Sequence, residues 1–226
     1  MNRRTVLTVY RKLARAYGPL PHTRRGNPLD ELVATILSQN TSDVNSGRAF
    51  ASLRRRFPRW SQVAAARPSQ IADAIRQGGL ANIKAPRIRE VLRIIGQREG
   101  AITLRRLRSM TNAEAIGYLT SMPGVGIKTA ACVLLFSLGR PVMPVDTHVY
   151  RVTRRLDWIG DRIRIEDAGP ELQEDVPDRL IYGMHIYLVW HGRRTCKARR
   201  PLCDICPIRM HCRFCRRRFL SSRTKP

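Results

Sequence analysis

The chain has 226 residues, 42 of them basic and 17 acidic, for a formal net charge of +25. That length suits one large domain or two small ones, with ample material for a buried core. The charge favours a polyanionic partner and salt-sensitive binding, and leaves both a nucleic-acid enzyme and a ribosomal or chromatin-like basic protein open. No apolar run reaches membrane-spanning length, and Met1-Asn2-Arg3-Arg4 leads into only a short, interrupted apolar stretch, unlike a secretory signal. Of the six cysteines, five crowd between Cys196 and Cys215, which argues for metal in a reducing compartment rather than disulfides. A cytoplasmic protein with no membrane partner is expected.

Val6, Leu7, Val9, Tyr10 and Leu13 form one amphipathic stretch, closed by Gly18-Pro19 and Pro21, and predict a short first helix. Asn27-Pro28 predicts a helix start, with a capping side chain followed by Pro at the first helical position. Leu29, Leu32, Val33, Ile36 and Leu37 then share one face. The polar run Ser38-Gln39-Asn40-Thr41-Ser42-Asp43 interrupts the pattern, and a second helix follows through Phe50 and Leu53 to Arg56. Ser61 and Ser69 each precede a short helical run. Gln77-Gly78-Gly79-Leu80-Ala81-Asn82 predicts a turn with an apolar tip. Ile88, Val91, Leu92 and Ile95 define the next helix, closed by Gly96 or Gly100. Thr111-Asn112-Ala113-Glu114 fits a capping box opening a helix through Leu119.

Met122-Pro123-Gly124-Val125-Gly126-Ile127-Lys128 then sets Pro and two glycines between apolar runs, predicting a tight turn. The apolar, nearly uncharged run from Thr129 to Leu138 predicts a buried helix after it, stopped by Gly139-Arg140-Pro141. Such glycines let backbone N–H groups face outward at a helix N-terminus and bind an anion such as phosphate. Eighteen residues beyond Lys128, Asp146 is placed to cap a helix running through Val149, Val152 and Leu156. Pro170 and Pro177 punctuate the next section, and Arg179 to Trp190 predicts a last long helix. With no alternating strand pattern, the fold class is all-α.

Cys196, Cys203, Cys206 and Cys212 are separated by six, two and five residues. Four thiolates are what a cubane cluster needs. Cys203, Cys206, Cys212 and Cys215 form a second set suited to zinc, although zinc ribbons separate their pairs by far more than five residues. Cys132, inside an apolar helix, reads as core. Only five of the basic residues are lysines, and one of them, Lys128, sits in the glycine turn. Unlike arginine, lysine can act as a nucleophile.

Together the hairpin, its lysine, the spaced Val145-Asp146-Thr147-His148 and the cysteine cluster resemble the endonuclease III branch of the helix-hairpin-helix DNA glycosylase superfamily, over about Asn27 to Cys212. The resemblance implies a six-helix domain at 27–139 ending in the hairpin. A discontinuous helical domain, 1–26 with 140–226, would carry a 4Fe-4S cluster on Cys196, Cys203, Cys206 and Cys212, leaving Cys215 outside the ligand set. The active site would lie in the cleft between the domains. It also implies a monomeric, nucleoid-associated enzyme of base excision repair acting on double-stranded DNA with a damaged base or abasic site.

In that enzyme Lys128 attacks the sugar C1′, Asp146 stabilises the charge that develops, and strand cleavage follows by β-elimination, the expected substrates being oxidised pyrimidines. Gln39 and Asn40 on the first loop and Leu80 at the second turn would enter the duplex as the base is extruded. Gly124, Gly126, Lys197, Arg199 and Arg200 would meet the phosphate backbone. The stretch Val33-Ala34-Thr35-Ile36-Leu37 lacks the glutamate of the adenine-removing branch, so adenine excision is not expected. A mismatch glycosylase for thymine or uracil, and a non-catalytic iron–sulfur DNA-binding protein, are the alternatives. Residue by residue, Lys128 also fits a plain phosphate contact, Asp146 a plain helix cap, Leu80 core packing, and His148 a structural histidine. From Arg216 onward the basic tail reads as a nonspecific attachment.

Overall fold

A computed structural model describes residues 2–21 and 26–217, and every regular element among them is helical. The basic tail from residue 218 lies outside the described residues. Among the described residues the α-helices with both ends defined are, in order, α1 (Arg3–Tyr17), α2 (Pro28–Ser38), α3 (Asp43–Arg56), α4 (Trp60–Ala65), α5 (Pro68–Ala74), α6 (Ala81–Glu99), α7 (Asn112–Thr120), α8 (Ile127–Cys132), α9 (Thr147–Leu156), α10 (Ala168–Asp175) and α11 (Asp178–Arg194). The chain divides into two compact units, Met1–Thr23 with Pro141–Pro226, and Arg24–Arg140.

In the 24–140 unit the Asn27 side chain accepts from Leu29 N, and Pro28 opens α2. Leu29, Leu32, Val33, Ile36 and Leu37 of that helix are all buried, since α2 packs on α3, α6 and α8. Each such side chain contributes about 1.5–3 kcal/mol, which makes α2 the central element of this unit. The stretch expected to open at Ser61 and Ser69 begins slightly earlier. Trp60 and Pro68 are the first residues of α4 and α5, because Gln62 and Gln70 reach back to accept from Arg59 N and Arg67 N, at 2.8 and 3.0 Å. Only this half of a capping box is made, since an arginine side chain has no acceptor to return the bond. Gly100, at φ +69, closes α6. Gly96 stays inside that helix, where a Cβ would stand 3.2 Å from Ile102 Cγ1. The Thr111 hydroxyl and the Glu114 carboxylate complete their capping box around α7. Helix α8 widens into a π-helical turn over Val133–Ser137, which packs on α2.

In the other unit α11 packs on α1 and α9. Tyr10 and Tyr187 meet edge to face at 5.4 Å, over Gly183, where any Cβ would lie 2.5 Å from the Tyr10 hydroxyl. Periodicity did not reveal α10. Its Pro170 is the third residue, in the first turn, where a missing N–H costs nothing.

Candidate active site and nucleic-acid interface

The hairpin between α7 and α8 turns at Gly124, whose φ of +73 favours glycine. Val125 N closes the turn on Met122 O at 3.2 Å. Met122 and Val125 are buried, whereas Pro123, Gly124 and Gly126 face solvent. Arg87 of α6 lies over Gly124 so closely that a Cβ there would be 2.2 Å from its Cδ. Its Nη1 donates to Gln39 Oε1 at 3.1 Å, while Gln39 Nε2 donates to Gly124 O at 3.2 Å. Both ends of the Gln39 amide are therefore engaged within the protein, and Gln39 joins the first loop to the hairpin.

Lys128, the second residue of α8, is half-buried. The Glu31 carboxylate of α2 lies within electrostatic reach of its charge. Burial raises the Glu31 pKa, the Thr35 hydroxyl donating at 3.1 Å and the Lys128 charge opposing that rise. Sequence reading passed over Glu31 and Arg87. The available signal for Glu31 was a polar stripe of Glu31, Thr35 and Gln39, spaced by four, on an otherwise apolar helix.

Asn40 and Leu80 sit on two separate turns of the same unit, and both adopt left-handed backbone, at φ 54 and 51. Asn40 is exposed, and Leu80 is 47% exposed at the start of α6, so Leu80 is not a core residue.

In the unit 1–23 with 141–226, Asp146 Oδ1 accepts from His148 N at 2.9 Å and Val149 N at 2.7 Å, capping α9. One carboxylate oxygen is thereby fixed. The His148 pKa is lowered by burial, its Nδ1 lies 3.0 Å from Arg151 Nη2, and its Cβ would be 2.8 Å from a Cβ at Gly192. These contacts make His148 a packing residue between α9 and α11.

Cys196, Cys203, Cys206, Cys212 and Cys215 line one cavity, with His191, Arg155 and Leu202 among its other walls. Sulfurs ringing a cavity suit a multi-iron cluster better than one zinc ion. Burial pushes the Cys206 thiol up to about 12 and raises Cys212 as well, so iron ligation must release protons. His191, buried and with its pKa lowered to about 4, is neutral, and Tyr17 Oη lies 2.7 Å from its Nδ1. The loop between the first two cysteines exposes Lys197, Arg199 and Arg200. It is held from α9: Arg155 donates to Lys197 O and Ala198 O at 2.8 and 3.1 Å, and Arg151 to Cys196 O at 2.9 Å.

A helical hairpin presenting a lysine, a capped carboxylate and a four-cysteine loop define a class, the helix-hairpin-helix proteins of base excision repair. Residues 33–177 match the HhH-GPD superfamily base excision DNA repair protein family, and residues 196–212 the iron-sulfur binding domain of endonuclease III. An endonuclease III of Thermotoga maritima is 34% identical over 192 residues, covering 85% of each chain. A putative DNA glycosylase of Arabidopsis thaliana is 38% identical over 198 residues, 84% of this chain and 68% of that protein. In fold, the chain superposes with a TM-score of 0.82 on a trapped endonuclease III–DNA covalent intermediate, at 24% identity, covering 97% of this chain and 99% of that one. A thermostable thymine-DNA glycosylase gives 0.79 at 20% identity, covering 95% and 97%. The chain belongs to the endonuclease III family. It is a DNA glycosylase/abasic-site lyase of base excision repair, it binds DNA, and it carries a 4Fe-4S cluster.

Proposed function

We propose that this enzyme removes oxidised pyrimidines from double-stranded DNA and that Lys128 is its nucleophile. The observation that carries the reading is Lys128 itself, half-exposed at the start of α8 immediately after the Gly124–Gly126 turn. Its amine attacks C1′ as the N-glycosidic bond breaks, the pair of bonding electrons leaving with the base. The amine gives up one proton to the departing base and one to O4′ as the O4′–C1′ bond breaks, which opens the sugar and leaves an imine between the lysine and C1′. Removal of a C2′ proton then expels the 3′ phosphate, cutting the strand 3′ to the lesion, and water later frees the lysine. Asp146 offsets the positive charge that grows on the sugar, its carboxylate held in place by the α9 cap.

Asn40 and Leu80 fill the space of the extruded base, a role supported by their exposure and left-handed turns. Gly124, Gly126, Lys197, Arg199 and Arg200 meet phosphates. Gln39 holds the first loop against the hairpin. Cys196, Cys203, Cys206 and Cys212 hold the cluster, whose contribution is to fix the basic loop. The charge of +25 supports residence on chromosomal DNA, where the enzyme works as a monomer.

Borohydride reduction in the presence of abasic duplex tests the nucleophile. Wild type becomes covalently fixed to DNA and Lys128→Ala does not; equal trapping by both removes Lys128 from the role. A panel of duplexes with single lesions then ranks oxidised pyrimidines against mismatched thymine and uracil.

A further inference from the structure

Lys84 is 2% exposed, and among the described residues it is one of the largest side chains wholly enclosed by protein. Enclosing an ammonium is costly unless its donors are satisfied. Here Nζ donates to Leu37 O at 2.6 Å and to Gly78 O at 2.9 Å. Both partners are main-chain carbonyls from segments far apart in sequence. Leu37 lies in the last turn of α2, where unpaired carbonyls and the helix dipole attract a cation. Gly78 ends the short 3-10 turn Arg76–Gly78.

The residues just beyond each carbonyl give this grip its meaning. Three residues past Leu37 is Asn40 at φ 54, and two past Gly78 is Leu80 at φ 51. Left-handed backbone is strained for asparagine and more so for leucine, and it persists only where surrounding contacts enforce it. Lys84 is anchored close to Leu80 from the other direction too, since its own backbone N–H donates to Leu80 O at 2.9 Å in the first turn of α6. One side chain therefore pins the bases of both exposed turns, and its backbone starts the helix behind one of them. A neutral side chain of similar length would fill the same space and leave the two carbonyls without donors.

We propose that Lys84 is a positioning residue for base extrusion, holding the Asn40 and Leu80 turns at a fixed spacing so that they enter the duplex as one unit. It touches neither the sugar nor the base. This inference rests on the extrusion roles proposed above for Asn40 and Leu80, and it assigns to Lys84 the rigidity that those roles require.

The test compares Lys84→Met with wild type, both as full chains, on two duplexes. One carries thymine glycol beside 2-aminopurine, whose fluorescence reports unstacking; the other carries a preformed abasic site, with no base to unpair. Single-turnover base release and the fluorescence change on the first duplex should fall about tenfold or more, while strand cleavage at the abasic site falls less than about threefold. In a Leu80→Ala background the same substitution should add less than about threefold, because the group being positioned is already gone. Equal losses on both duplexes, or an undiminished loss in the Leu80→Ala background, would overturn the proposal and make Lys84 a plain stability residue. Lys84→Leu, which likewise carries no donor, repeats the comparison if Lys84→Met does not fold. Failure of wild type to be trapped on abasic DNA would instead refute the lyase reading.

Discussion

Asp146 is both the cap of α9 and the proposed catalytic carboxylate, and the two roles separate by substitution. Its Oδ1 accepts from two backbone N–H groups, at 2.9 and 2.7 Å. Asparagine and serine cap about as well as aspartate, whereas alanine costs about 0.5–2 kcal/mol. Losing the charge at the helix N-terminus costs a further 0.3–1 kcal/mol or so. Asp146→Asn and Asp146→Ser should therefore lie within about 1 kcal/mol of wild type in urea unfolding, and Asp146→Ala about 1–3 kcal/mol below it. Catalysis should not follow that order. A carboxylate aimed at developing positive charge is worth about 100-fold or more in rate, so all three variants should lose it in single-turnover base release. If Asn and Ser kept wild-type rates while Ala alone was slow, Asp146 would be a cap and nothing more.

Gly124→Ala must place a Cβ 2.2 Å from Arg87 Cδ at a φ of +73. The strain of about 1–2 kcal/mol adds to loss of the charged Arg87–Gln39 bond, about 1.5–3 kcal/mol. Unfolding in urea should reveal a drop of about 2.5–5 kcal/mol, and a drop under about 1 kcal/mol refutes the packing argument. Burial raises the Glu31 pKa above its usual 4.5, so its contribution to stability is present below pH 4.5 and lost as pH rises through the raised value. Glu31→Gln, which still accepts from Thr35, should thus be more stable than wild type at pH 7, with the gap closing below pH 4.5; a gap that ignores pH contradicts this. Replacing Arg199 and Arg200 together by alanine should flatten the slope of log affinity against log salt by about 1.8, two phosphates' worth. An unchanged slope takes both residues off the DNA. Cys203→Ser should lose the brown absorbance and bound iron, and Cys215→Ser should keep both; the reverse outcome exchanges their roles.

Helix positions followed from local chemistry: Asn27-Pro28, Thr111 with Glu114, and Asp146 all cap where the sequence places them, because a cap is a contact among residues four or fewer apart. The hairpin turn was equally local, as the φ of +73 at Gly124 favours glycine whatever packs against it. The family was legible for the same reason, since hairpin and cysteine spacing are linear features.

What the sequence could not disclose were pairings across long separations. Gln39 reads as a loop residue open to DNA until Gly124 and Arg87, 85 and 48 residues away, take up its amide. Glu31 is one acid among 17 until α2 packs on α8 and brings it within electrostatic reach of Lys128. Lys84 belongs to an ordinary helix until two carbonyls, 47 and 6 residues distant, enclose its ammonium. Local sequence determines where a helix starts and which face is apolar; which polar group meets which is decided only when the helices pack and each buried donor must find an acceptor.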